Sequence, residues 1–163
     1  MSGWKSPSSD GTMSRSWKVK VEGLKAIDQA LANIGKRATA KNIGRRALKK
    51  AAEPIDRDWR AKVRVDTGDL RESGGISTKL TRRQRSKHKK IAPVEMYVGP
   101  GGNPQAITEE FGTNDQAPHP SLRPAWDANK HDLPEAIGKE LWSEIDKAAQ
   151  RAARKTARLA AKG

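Results

Sequence analysis

The sequence contains no cysteine, which excludes disulfides and every metal site built on thiolates. Aromatic residues are scarce: one Phe and one Tyr accompany five Trp among 163 residues. Much of the apolar content is alanine, which removes little area from water per residue. A thin core is therefore expected, with stability gained from contacts between copies and melting that depends on concentration. No apolar run approaches the roughly 18 residues that a membrane helix needs. The stretch Met1–Pro7 also lacks the apolar centre of a signal peptide, so a soluble protein with no membrane partner is expected. At this length the chain should be one domain with tails.

The motifs of catalysis are missing as well. There is no Gly-x-Ser-x-Gly elbow, and Gly99-Pro100-Gly101-Gly102 is not followed by the Lys-Ser/Thr of a phosphate loop. His88, His119 and His131 do not fall at metal-ligand spacing. Asp66-Thr67-Gly68-Asp69 has no third acid at the spacing of a calcium loop. It reads as a turn, in which Asp66 bonds to nearby backbone N–H groups and Gly68 supplies a positive φ. No catalytic residue, cofactor or metal is expected.

What the chain does have is positive charge. Its net charge is +14. From Gln105 to Asp146 there are nine acidic and three basic residues, a local −6 that leaves +20 for the remainder. So uneven a split favours electrostatic docking on an acidic partner: nucleic acid, a neighbouring protein, or another copy. The densest basic segment holds Lys79, Arg82, Arg83, Arg85, Lys87, Lys89 and Lys90 with no acid among them. Like charges at this density repel, so a mobile, extended hairpin loop is expected there. No aromatic interleaves these cations, which speaks against a stacking platform for single strands.

Residues 1–16 are rich in Ser, Gly and Pro and read as a disordered arm. Trp17-Lys18-Val19-Lys20-Val21 alternates like a half-buried strand. Leu24, Ile27, Leu31 and Ile34 mark one face of a helix, which Gly35 ends or kinks. Ile43, Ala47, Leu48, Ala51, Ala52, Ile55 and Trp59 mark a second, with Pro54 expected to kink it or start a new turn. Strands are expected over 73–80 and 94–98. A long helix should run from about Pro124 to Leu159, and Pro134 can divide it. Ile137, Leu141, Ile145, Ala148, Ala152 and Leu159 approximate a seven-residue repeat along it. Trp59, Trp126 and Trp142 are expected in the core. Trp4, in the arm, is a candidate anchor for a neighbouring subunit.

Two blocks stand out: Thr67-Gly68-x-Leu70-Arg71-x-Ser73, and Glu110-Phe111-Gly112-Thr113 followed by Pro118-x-Pro120-x-Leu122-Arg123-Pro124-Ala125. In this order, with strands ending at Tyr97-Val98-Gly99 between them, they resemble the small neck or tail-completion proteins of long-tailed phages. These are the gene-product-ten-like tail components of lambda-like viruses. The resemblance spans roughly residues 17–145. Ser121 stands where the family often has an aromatic, and the basic segment and the Arg/Ala-rich C-terminus look like elaborations. It divides the chain into the arm 1–16, a neck or tail-completion domain 17–145 and a basic helical extension 146–163.

The resemblance implies an α+β fold: a small, mostly antiparallel sheet packed by helices, with a long C-terminal helix. It also implies a structural virion protein, made in the host bacterial cytoplasm, that lies at the head–tail junction as a ring around the DNA channel. A hexamer is favoured over a dodecamer. The implied neighbours are head-closure, connector and tail-terminator or tail-tube proteins, with double-stranded DNA passing through and no sequence-specific contact.

A heterologous ring contact needs two different complementary patches on one subunit, and the acidic 105–146 stretch and the basic helix or loop are candidates. Interface candidates are Trp4, Thr67, Gly68, Leu70, Arg71, Phe111, Gly112, Arg123 and Pro124. Gly112 would let Phe111 approach a neighbouring backbone, and Arg123 suits a carboxylate across or within subunits. The seven cations of the basic segment would face DNA or an acidic neighbouring ring, the latter favoured. The competing class is a basic, helix-rich nucleic-acid-binding protein, which would show sequence preference.

Overall fold

A computed structural model describes residues 24–34 and 37–161. The expectations for the arm 1–16, for Trp4, for the strand at 17–21 and for Gly35 lie outside these residues. Among the described residues the order is α1 (Leu24–Asn33), α2 (Arg37–Lys62), α3 (Asp69–Ser73), β1 (Gly74–Ser77), α4 (Arg82–Lys87), β2 (Tyr97–Pro100), α5 (Gln105–Phe111), α6 (Leu122–Asn129) and α7 (Leu133–Ala160). The strands β1 and β2 pair antiparallel, with Ile76 opposite Val98. The α+β expectation stands: a small antiparallel sheet, packed by helices, with a long C-terminal helix.

Helix α2 is the spine, packed against α6, α7 and both strands. Its apolar stripe buries Ile43, Ala47, Ala51, Ala52, Ile55 and Trp59, following the 3.6-residue period legible in the sequence. The helix continues through Pro54, whose ring deprives the Lys50 carbonyl of its usual N–H partner. The core forms two clusters along this spine. Toward the C-terminal end of α2, Trp59 and Val63 meet Leu70 of α3 and Ala125 of α6. Toward its N-terminal end, Ile43 meets Ile27 of α1 and Ile145 of α7.

Two differences from expectation have clear causes. The strands are shorter than 73–80 and 94–98 and begin at Gly74 and Tyr97. The basic segment is not extended throughout: Arg82–Lys87 form α4. The Thr81 hydroxyl accepts the Gln84 N–H, and the Gln84 side chain accepts the Thr81 N–H in return. This capping box satisfies two otherwise orphaned donors, enough to nucleate a short helix despite like-charge repulsion. Proline does divide the C-terminal helical region: Pro134 stands in the first turn of α7, where its missing N–H costs nothing.

Trp59 is buried as expected, but Trp126 and Trp142 are 48% and 43% exposed. Each falls just off the buried stripe of its helix. In α6, Ala125 occupies the inward position; in α7, Leu141 and Ile145 do.

Candidate functional site

The two blocks carrying the resemblance flank the lower half of α2, and most of their residues have internal work. In the first, Gly68 takes φ 92°, the left-handed conformation that a side chain disfavours. Its carbonyl accepts the Glu72 N–H at 3.0 Å. The turn is held by Thr67, whose hydroxyl lies 2.9 Å from Asp69 Oδ2 and 3.4 Å from the Asp69 N–H, so the polar role expected of Asp66 belongs to its neighbour. Leu70 points into the Trp59 cluster. Arg71 is exposed, but its carbonyl accepts Arg60 Nη1 at 2.8 Å. Arg60 also donates to the Gly74 carbonyl at 2.6 Å and to Asp56 at 2.8 Å, which ties α2 to the start of β1.

The second block is organised by Glu110. Its carboxylate accepts the backbone N–H groups of Ser121 at 2.8 Å, Leu122 at 3.0 Å and Arg123 at 3.0 Å. It thus caps the N-terminus of α6 from a distance in sequence, where free N–H groups and the helix dipole favour negative charge. Burial works against the charge of Glu110. The three N–H groups and Arg123 outweigh it, so the carboxyl titrates below its ordinary range. Arg123 Nε lies 3.4 Å from Glu110, and its guanidinium sits 4.6 Å from the centre of the Phe111 ring. The carboxylate contact expected of Arg123 is therefore present within the chain.

Gly112 takes φ 75°, and a Cβ there would stand 2.7 Å from the Gln116 carbonyl oxygen and 2.9 Å from the Pro118 nitrogen. The close approach it permits is to its own loop. Pro124 is in the first turn of α6, where no helical N–H is lost. Glu110→Ala should cost about 1–2 kcal/mol, as for loss of a helix cap, read as a lower melting temperature. Glu110→Gln, which keeps one acceptor oxygen, should cost less.

Phe111 itself is 65% exposed. Ile107, one helical turn earlier on α5, is exposed as well, as is Trp126, three residues beyond Arg123 on α6. These side chains, joined through the Arg123–Phe111 contact, make an apolar strip on the α5–α6 face. Asp115, Asp132 and Glu135 are exposed on the same segment of chain and have no basic partner among the described residues.

The basic segment is the second feature. All seven of its cations are exposed, and none pairs with a carboxylate among the described residues. Yet the segment is fastened. Glu95 accepts the Tyr97 hydroxyl at 2.7 Å, the Ile91 N–H at 2.7 Å and the Ala92 N–H at 3.1 Å, and lies 2.9 Å from His88 Nε2. The Tyr97 hydroxyl foremost, then the two N–H groups and His88, hold the Glu95 carboxyl down at about 2. The same bond pushes the Tyr97 phenol up. This clasp is complete above the ordinary carboxylate value of 4.5 and opens only as pH falls through about 2. Glu95→Gln should speed amide exchange over residues 82–92 while leaving global melting nearly unchanged, as hydrogen-exchange mass spectrometry would show. Equal loss of protection throughout α2 would contradict a local clasp.

A third feature is the end of α7. From residue 149 to 161 every residue is exposed, a projection of about 18 Å over twelve helical residues. It carries Arg151, Arg154, Lys155 and Arg158 around Leu159. Sequence reasoning assigned no role to Arg60, Glu95, Glu110 or Glu144, because pairing of a charged side chain leaves no periodic mark in the sequence. Only Glu110 had a signal, its place beside Phe111-Gly112.

Among the described residues, no three His, Asp or Glu side chains stand close enough to hold a metal ion. No helix of the described residues is long and apolar enough to cross a membrane. Comparison with curated proteins gave no match, and neither did comparison with solved structures. Residues 25–102, from α1 to just past β2, match the family model described as "Bacteriophage HK97-gp10, putative tail-component". The matched segment contains the spine, the Thr67-Gly68-x-Leu70 turn, the sheet and the basic segment. Over residues 25–102, the chain is similar to the HK97-gp10-like family of bacteriophage putative tail components.

Proposed function

We propose that this protein is a structural phage tail component that acts at the head–tail junction, as a neck or tail-completion subunit. In this reading it forms a ring around the DNA channel, with six copies favoured over twelve, and joins the tail to the head. The family match over 25–102 carries the reading. Support comes from the surface: Ile107, Phe111, Trp126 and Trp142 are exposed on a chain with few large apolar residues to spare. Exposed apolar side chains grouped as Ile107, Phe111 and Trp126 are on α5 and α6 mark a contact with another protein.

The neighbours in this reading are head-closure, connector and tail-terminator or tail-tube proteins. DNA passes through without sequence-specific contact. Seven cations per copy would bring 42 positive charges to a sixfold channel. Even six to ten phosphate contacts change affinity by roughly a thousandfold or more across ordinary salt concentrations. A conduit that must release DNA would be hindered by such a grip, so the basic segment is assigned to an acidic neighbouring ring.

Electron microscopy of particles assembled without this protein tests the reading. The expected result is filled heads and finished tails that remain separate. Joined, infectious particles would overturn it.

A further inference from the structure

The apolar α5–α6 strip and the projecting end of α7 lie at opposite poles of the molecule. The strip belongs to the cluster built on Trp59 and Val63, through Ala106, Leu122 and Ala125. The α7 end begins beyond Ala148, which packs on the cluster built on Ile43. Helix α7 runs antiparallel to α2, since Glu144 meets Arg46 while Glu140 meets Lys50. Its free end therefore leads away from the strip. The sixteen helical steps of α2 from Ile43 to Trp59 alone separate the two clusters by roughly 24 Å. The two surfaces cannot meet within one rigid copy.

They are nonetheless complementary. The strip is aromatic and aliphatic, with unpaired carboxylates at Asp115, Asp132 and Glu135 on the same acidic stretch. The α7 end is cationic and aliphatic, with Leu159 62% exposed among its arginines and alanines. None of Arg151, Arg154, Lys155 or Arg158 has a carboxylate partner among the described residues. The basic segment around α4 fits the strip less well. It offers almost pure charge, and the Glu95 clasp holds it against the body.

We propose that the end of α7 of one copy docks on the α5–α6 strip of the next copy. The inference rests on the ring reading and adds to it a heterologous contact of stated residues. Such a contact uses a different patch on each partner and propagates from copy to copy until the rotation closes. Its polar part weakens with salt.

The absence of cysteine makes the test direct. Full-length Ile107→Cys and Leu159→Cys proteins, both altered at exposed positions, are mixed and treated with a short bis-maleimide. A covalent heterodimer is expected from the mixture. None is expected from Ile91→Cys with Leu159→Cys, although Ile91 is 91% exposed. Arg154→Glu with Arg158→Glu should lower the yield of the 107–159 link at least tenfold.

Oligomers that form without that link would overturn the contact and leave the ring reading standing. A monomer at every concentration tested would overturn the contact too. So would charge reversals that abolish duplex DNA binding while oligomers and link persist unchanged, since the helix end would then serve nucleic acid. Conversely, a robust 107–159 link in a protein that micrographs place away from the head–tail junction would keep the contact and remove the junction reading.

Discussion

Gly74→Ala should cost about 3 kcal/mol of folding stability, at the upper end of ordinary overpacking effects. A Cβ at this position would stand 1.9 and 2.0 Å from two carbons of the Trp59 ring. The backbone angles at Gly74 suit any residue, so the cost is steric. The ring is 1% exposed and is held among Val63, Leu70 and Ala125. It has no space to retreat, and Arg60 pins the Gly74 carbonyl from the other side at 2.6 Å.

Trp59→Ala should be worse, at about 3–5 kcal/mol for a large aromatic removed from a core. The informative variant combines Gly74→Ala with Trp59→Leu. The two residues touch, so their effects should not add. The alanine methyl would occupy part of the space the indole leaves, making the double variant more stable than the sum of the single changes predicts. Urea denaturation of the four proteins closes the cycle. Strict additivity would mean that the backbone at β1 shifts to admit the methyl, and that the contact is not what fixes the strand against α2.

The period of the apolar residues made α2 legible, because its stripe is continuous from Ile43 to Trp59. The antiparallel pair and the division of the C-terminal helices at Pro134 were legible for similar local reasons. The helix at Arg82–Lys87 has a local signature, the capping pair Thr81-x-x-Gln84, whose effect prevails over repulsion among the cations. For Trp126 and Trp142, register on the helix rather than residue type decides burial. Trp142 is one position from the inward stripe of Leu141 and Ile145, a displacement of about 100° around the helix.

The acid side chains were the hardest. Glu110 and Glu144 are held by groups distant in sequence, the N–H groups that open α6 and the Arg46 guanidinium 98 residues away, while Glu95 is held by close neighbours, the Tyr97 phenol and the Ile91 and Ala92 N–H groups, that no periodic pattern marks. For the surface residues, a local pattern shows what a helix buries against its own core. It does not show which exposed apolar residues are reserved for another copy.

Glu144 joins these themes, and its removal should be felt at a distance. It is 3% exposed, yet it is charged. Arg46 Nε stands 2.5 Å from one oxygen, and Lys50 and Lys147 stand 3.4 and 3.3 Å from the other. The Arg46 bond above all, with help from the two lysines, outweighs burial and holds the carboxyl at about 2. Because the folded value is depressed, the stabilisation is fully present above the ordinary 4.5 and is lost as pH falls through about 2.

Glu144→Gln should therefore flatten the acid limb of the stability profile in that window. Glu144→Ala should cost about 1–3 kcal/mol, the scale for hydrogen bonds to a charged group. That is less than a sealed ion pair would lose, because the three cations are 40–45% exposed and can turn to water. The position matters more than the magnitude. Among the described residues, Glu144 is the last polar tie between α7 and α2 before the helix leaves the body beyond Ala148. Without it the projecting end should hold its direction less well, and the 107–159 link should fall in yield at temperatures where the protein remains folded. A link that persists at full yield in Glu144→Ala would mean that Ile27, Ile43 and Ile145 suffice to aim the helix, and that the buried charge serves stability alone.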